Sequence, residues 1–252
     1  ERLEPWGGQE SVDVLVLPDL SVTSVSWGEG EDLARAAVLT AAGLENYDET
    51  LRALMAADVK KNTHDAKTLL SHLLDRGICG EGIVFDTALA AYLLAPTDGS
   101  YELEKLGMTW LNHEFPKAKK TYLAPDAFTP LADQGEVLGA LLSHTALIGA
   151  LKQAMAPRLE ELGMHELYYG VELPLCPVLA EMEQAGMLVD RAALAAFGEM
   201  LDGRIKADEA LIYELAGEEF NINSTQQFGR ILFEKLGLPP VKKTKTGYST
   251  SA

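Results

Sequence analysis

Two short, β-branched apolar runs stand near the front of a chain whose later periodic segments almost all repeat at helical spacing. Val12–Leu17 (VDVLVL) and Val22–Trp27 (VTSVSW) have the composition and alternation of strands. Gly28-Glu29-Gly30 follows as a turn, and Leu33–Leu39 fits either a strand or a helix. Tyr47–Ala57 then sets Leu51, Leu54 and Met55 on one helical face. Asn62-Thr63-His64-Asp65 is a run of cap-forming residues ahead of AKTLLSHLLDRG. Leu69, Leu70, Leu73 and Leu74 form the apolar stripe of that helix, and Gly77 marks its stop. Ile83-Val84-Phe85 is another short strand-type run. Asp86 is placed to cap the helix TALAAYLL, which Pro96 ends.

The second half reads as helical. Ser100 caps a helix to about His113, and Glu114–Phe128 reads as an exposed loop whose lysines, in PKAKKTY (Pro116–Tyr122), are expected to be mainly solvated. Glu136–Leu162 is a helix with an expected break near Pro157. Tyr169–Ala185 carries Val171, Leu175, Val178, Leu179 and Met182 on one side, and Gly186 stops it. Asp190 caps a longer helix through Leu194, Phe197, Leu201, Ile205, Leu211 and Leu215 to Gly217. Its apolar stripe is narrow and its other face charged, which suits a partly projecting helix. Ser224-Thr225-Gln226-Gln227 has the form of a capping box. The final residues, VKKTKTGYSTSA, read as a loop. Ser249 and Thr250 are cap residues with no helix behind them, so the natural protein is expected to be longer.

The length of 252 residues accommodates one large domain, or a medium one with an appended piece. No run of about eighteen apolar residues occurs, so no membrane span is expected. Glu1–Trp6 is polar and lacks a signal-peptide pattern. Cys79 and Cys176 form no Cys-x-x-Cys pair, which argues against zinc and against a disulfide framework and fits a reducing cytoplasm. The net charge is −17, which excludes a protein that grips nucleic acid with its whole surface. The charge is uneven, however. Residues 221–252 hold Arg230, Lys235, Lys242, Lys243 and Lys245 against Glu234, a balance of +4, leaving −21 on the first 220.

Three stretches carry a family resemblance. FNINSTQQFGRILFEKLGLPPVKKTKTGYSTSA (Phe220–Ala252) resembles the opening of the thumb in the bacterial DNA polymerase I family, the family A DNA polymerases. ELPLCPVLAEMEQAGMLVD (Glu172–Asp190) resembles the segment that joins exonuclease and polymerase domains in that family. GIVFDTALAAYLLAPTDGSYELEKLGMTWLNHE (Gly82–Glu114) is similar to the middle of its exonuclease domain. The resemblance implies an α/β fold: a ribonuclease H-like 3′–5′ exonuclease domain with a central mixed sheet over 1–168. A linker helix and the start of a helical thumb follow over 169–252. It further implies a monomer in the bacterial cytoplasm, associated with the nucleoid, whose polymerase takes Mg²⁺ in a palm outside this chain. No cofactor is expected for the residues present.

Active exonucleases of the family use two divalent metals about 3.5–4 Å apart. These hard ions need carboxylates. The family supplies an Asp-x-Glu at the end of the first strand, an Asp at the start of a mid-domain helix, and a Tyr-x-x-x-Asp on a late helix. Here the first strand runs apolar from Val14 to Leu17 and then Pro18, and Asp13 and Asp19 lack the following Glu. Asp65 stands at the mid-domain position as a remnant, with a helix N-cap as its simpler role. The late helix, Gly139–Met155, has neither Tyr nor acid. The expectation is a catalytically inactive scaffold with no metal site. His64, His72, His113, His144 and His165 have no ligand-like spacing, and Cys176 reads as core.

The basic end suits phosphate contact. By the resemblance, Asn221, Asn223, Ser224, Thr225, Gln226, Lys242, Lys243, Thr244, Ser249 and Thr250 are candidates to contact a primer–template duplex. Two other readings stay open: an active two-metal exonuclease using Asp13, Asp19, Asp65 and Asp86 in divergent places, and an acidic module that docks a basic protein through residues 1–170.

Overall fold

The computed structural model describes residues 10–28, 35–239, 243–244 and 247–248. The chain divides into two compact units, Glu1–Gly186 and Met187–Ala252.

The first unit is built on a mixed sheet of β1 (Val12–Val16), β2 (Val22–Trp27), β3 (Arg35–Thr40), β4 (Lys61–Thr63) and β5 (Ile83–Asp86), in the order β3-β2-β1-β4-β5. β1 and β2 pair antiparallel, as do β2 and β3, while β4 and β5 add parallel. Arg35–Thr40 is therefore a strand, which resolves the ambiguity of that stretch. Alternation along β1 serves two cores. Val12 and Val14 join Leu51 and Leu54 of α1 (Tyr47–Leu54) and Leu69 and Leu73 of α2 (Ala66–Asp75) on one face. On the other face Leu15 and Leu17 meet the helices α3 (Thr87–Leu94), α4 (Leu103–Leu111) and α5 (Gln134–Glu161) and the chain between α4 and α5.

α5 spans 28 residues and runs unbroken through Pro157, contrary to the break expected there. Met155 and Leu159, on either side of the proline, are fully buried. Their burial holds the last turns helical at the cost of one missing backbone hydrogen bond. By length and composition α5 would also suffice to cross a membrane; here it is a core helix laid over the sheet.

The stretch 114–128 is not simply solvated. Thr121, Tyr122 and Ala127 are buried, and Lys119 pairs with Glu102 at 2.6 Å. A three-residue helix, α6 (His165–Leu167), and a π turn (Tyr168–Glu172) lead into α7 (Leu173–Ala185). These helical turns run across the position, between 168 and 169, where the resemblance divides the chain. α7 packs with the opposite face from the one its large apolar residues suggest. Cys176 and Ala180 are buried against Ala66 and Leu70, while Val171, Leu175, Val178, Leu179 and Met182 are 37–63% exposed. The small residues let α7 approach α2 closely, and Lys67 and Glu183 pair at 2.6 Å at the exposed edge of the contact.

In the second unit α8 (Arg191–Ala216) is capped by Asp190, whose carboxylate accepts from Ala192 and Ala193 N–H at 3.0 Å, and ends on left-handed Gly217. Its apolar stripe from Leu194 to Leu215 is exposed. A small core joins Ala216, Phe220 and Ile231 to Ile212, Tyr213, Ile222 and Phe228. Beyond α9 (Thr225–Gly229) and a π turn, the tail expected as a loop contains a short hairpin, β6 (Lys243–Thr244) with β7 (Gly247–Tyr248).

Candidate exonuclease-like cleft and nucleic-acid face

The carboxyl end of β1 opens into a cleft of about 230 Å³ between α2, α4 and the 118–123 segment. By the resemblance, the Asp-x-Glu of an active exonuclease is expected at this end of the strand. The strand instead lines the cleft with Leu15, Val16, Leu17 and Pro18. Asp65 lies at the rim in the left-handed region (φ 56°), its carboxylate accepting Thr68 N–H at 3.4 Å as the cap of α2. Its own N–H donates to Asp86 Oδ1 at 3.0 Å.

Asp86 is buried and fully occupied. It accepts from Asp65 and Ala66 at the head of α2, and from Ala88 and Leu89 at the head of α3, at 2.8–3.3 Å. Burial raises its pKa, and these four N–H groups oppose that rise. Sequence reading identified one cap here; the carboxylate caps two helices, because β4 and β5 run parallel and end side by side.

Beneath the cleft α5 contributes no acid. His144, fully buried, shares a hydrogen bond of 2.5 Å between Nδ1 and Tyr122 Oη, and Thr145 Oγ1 donates to Ser24 Oγ at 2.7 Å. Burial lowers the His144 pKa and raises that of Tyr122. His64 Nδ1 bonds Thr87 Oγ1 at 2.8 Å, and burial pushes its pKa down to about 4. Burial disfavours the charged form of both imidazoles; His144 is in the core, and His64, half-buried, lines the cleft. The Tyr122–His144 pair was missed in the sequence; an aromatic residue amid the lysines of PKAKKTY was the available sign of burial.

The four acids of the divergent-ligand reading do not converge on one point, although Asp65 and Asp86 meet through the Asp65 N–H. Asp13 bonds Asn62 under α5, Asp19 bonds its neighbour Ser21, and Asp65 and Asp86 are caps. Among the described residues no group of three or more His, Cys, Asp or Glu has the geometry to hold a metal ion. The described side chains do not fit a two-metal centre.

In the second unit Asn221, Asn223, Thr225 and Gln226 form an exposed edge with half-buried Ser224. Ser224 Oγ accepts Gln227 N–H at 3.4 Å, as a capping box requires, but Gln227 Oε1 reaches back to Asn221 N–H at 2.9 Å rather than to Ser224. Asn221 Oδ1 accepts from Asn223 N–H at 3.0 Å. β7 lies beside α9, bringing the hairpin that holds Lys243 and Thr244 to this edge. Arg230 and Lys235 both pair with Glu218, at 3.2 and 3.1 Å, so part of the basic balance is neutralised within the unit. Lys242, Ser249 and Thr250 lie outside the described residues.

A five-stranded mixed sheet with such a cleft defines a ribonuclease H-like unit, and a helical unit follows it in the chain. Residues 24–120 match the DNA polymerase I ribonuclease H-like domain, and residues 191–252 match DNA polymerase family A. The chain is 40% identical over 195 residues to DNA polymerase I of Bacillus subtilis, covering 77% of this chain and 22% of that protein. It is 33% identical over 240 residues to the Mycobacterium tuberculosis H37Rv enzyme, covering 93% and 26%. A solved structure described as the POL domain of Pol1 from M. smegmatis in complex with DNA primer-template and dNTP superposes with a TM-score of 0.74. That match has 26% identity and covers 99% of this chain and 41% of the other. The chain belongs to the bacterial family A DNA polymerases, of the DNA polymerase I type, and spans about a quarter of the length of these relatives.

Proposed function

We propose that this chain is part of a DNA-directed DNA polymerase acting in replication and repair in the bacterial cytoplasm. In this reading its ribonuclease H-like unit is a catalytically inert scaffold. The observation that carries the reading is the wall of the cleft: Leu15 and Leu17 face it from β1, and Asp65 is engaged as a helix cap. Aliphatic side chains provide no ligands for a hard dication, and the other acids of the lining, Glu102 (paired with Lys119) and Glu104, form with Asp65 no metal-holding group among the described residues. The second unit contacts the primer–template duplex through the edge from Asn221 to Gln226 and the hairpin that follows, with amide and hydroxyl groups suited to the sugar–phosphate backbone. The chain acts as a monomer.

The test uses the 252-residue chain with a 3′-labelled single strand and manganese or magnesium. No release of labelled nucleotide is the expected result; metal-dependent release overturns the scaffold reading. In parallel, fluorescence anisotropy with a labelled primer–template duplex should show salt-sensitive binding that Asn221→Ala/Gln226→Ala weakens. Binding indifferent to both changes and to salt overturns the contact assignment.

A further inference from the structure

At the other end of β1 from the cleft lies a second cavity, of about 370 Å³, whose lining includes Glu10, Ser11, Asp13, Asn62, Gly149 and Lys152. Its floor is a polar row across three strands, Asp13 standing opposite Asn62 of β4 and Ser26 of β2. Asp13 is 9% exposed. Its Oδ1 accepts the Asn62 amide N–H at 2.8 Å, while Oδ2 is reached only by Ser26 Oγ at 3.4 Å. Asn62, 3% exposed, directs its Nδ2 to Asp13 and to Ser11 Oγ, and its Oδ1 has no hydrogen-bond partner among the described residues. Two buried oxygens are left under-used, an arrangement that costs free energy until a donor reaches them.

The donor already nearby does not meet this need. Lys152 Nζ donates to Ser11 Oγ at 3.3 Å and forms no ion pair with Asp13. Glu10 and Asp13 against Lys152 leave the lining one negative charge. α5 passes directly over the floor because residue 149 is glycine; a Cβ there would collide with Asp13 Oδ2.

We propose that this cavity binds a small organic monocation bearing N–H donors, of the ammonium or guanidinium kind. Asp13 accepts from it at the floor, and Glu10 and Ser11 offer further acceptors at the mouth. A guanidinium fork addresses two acceptors at once, and an ammonium bridges them with separate N–H groups. Lys152 competes for the same charge and limits affinity.

Titration of the 252-residue chain, read on the Asn62 side-chain amide resonances by NMR, tests this. Methylguanidinium and methylammonium chloride should give saturable shifts, whereas tetramethylammonium, which has no N–H, should not. Asp13→Asn should abolish the response, and Lys152→Met should move saturation to several-fold lower concentration. No saturable response, an equal response in Asp13→Asn, or an equal response to tetramethylammonium overturns the proposal. So does saturation by potassium chloride without saturation by the N–H cations.

Discussion

The backbone N–H of Asp65 donates to the carboxylate of Asp86 at 3.0 Å, so the acid that heads α2 is held in place by the acid that heads α3. Four helix-terminal N–H groups converge on Asp86. Asp86→Ala strands all four in a buried site. The expected loss is about 2–4 kcal/mol in urea unfolding, given about 1 kcal/mol for a typical cap and more for buried unpaired donors. A loss well under 1 kcal/mol would show that water replaces the carboxylate without difficulty.

Asp65 is a cap in an exposed, left-handed position, and a cap tolerates Asn where a metal ligand does not. Asp65→Asn should change stability by less than about 0.5 kcal/mol, and Asp65→Ala should cost about 1 kcal/mol. Thermal unfolding with and without millimolar manganese separates the roles. The midpoint should not rise with metal, in the parent chain or in Asp65→Asn; a rise in the parent that the variant loses would restore Asp65 as a ligand.

Two buried groups give opposite pH slopes in one window. Burial raises the Asp13 pKa to about 6 from 3.8, despite the Asn62 hydrogen bond and Lys152. The folded state therefore holds this proton longer, and the stability it contributes, complete below pH 3.8, is lost as pH rises through 6. His64 is depressed from 6.5 to about 4, chiefly by burial, so the unfolded chain takes its proton first. Stability from His64 is complete above 6.5 and is lost as pH falls toward 4. Each slope is on the order of 1 kcal/mol per pH unit, and between pH 4 and 6 they oppose each other. Asp13→Asn should uncover the His64 slope: urea midpoints of the variant rise steeply over this range, while those of the parent are flatter. Parallel profiles for the two proteins would contradict the assignment.

Gly149 and Asp13 form a second contact that mutation can separate. A methyl group at 149 has no room beside Asp13 Oδ2, which is part of the packed floor rather than a free side-chain end. Gly149→Ala should cost about 1–3 kcal/mol. Combined with Asp13→Ala, which removes the colliding atoms, it should cost markedly less than the sum of the single changes, and a double-mutant cycle in urea measures the difference. Strict additivity would mean that α5 shifts away from the sheet.

What was legible in the sequence was local. The caps at Asp86 and Asp190 and the stops at Gly77 and Gly217 depend on residues within a few positions of one another, and each forms as spacing predicts; Ser224 caps α9, but the returning half of its box goes to Asn221. The apolar wall of the cleft was likewise readable, since β1 lacks acids from Val14 to Leu17. Partners distant in the chain were not readable. Tyr122 is drawn out of a lysine-rich loop by His144, and Asp13 gains its environment from Asn62, 49 residues away. Pro157 was misjudged because the burial of Met155 and Leu159 is a tertiary fact.

The face of α7 shows why helical spacing alone misleads. Val171, Leu175, Val178 and Met182 recur at helical intervals, and so do Cys176 and Ala180. Size favours burying the first set; close approach to Ala66 and Leu70 selects the second. Substitutions should therefore show an inverted pattern. Val178→Ser, on the exposed side, should change stability by no more than about 0.5 kcal/mol, as ordinary surface changes do. Ala180→Leu must force α7 off α2 and should cost about 1–3 kcal/mol, with the Lys67–Glu183 pair strained as the helices separate. Urea unfolding of the two variants tests the choice of face. A large cost at Val178 together with a neutral Ala180→Leu would mean that α7 buries its large residues instead.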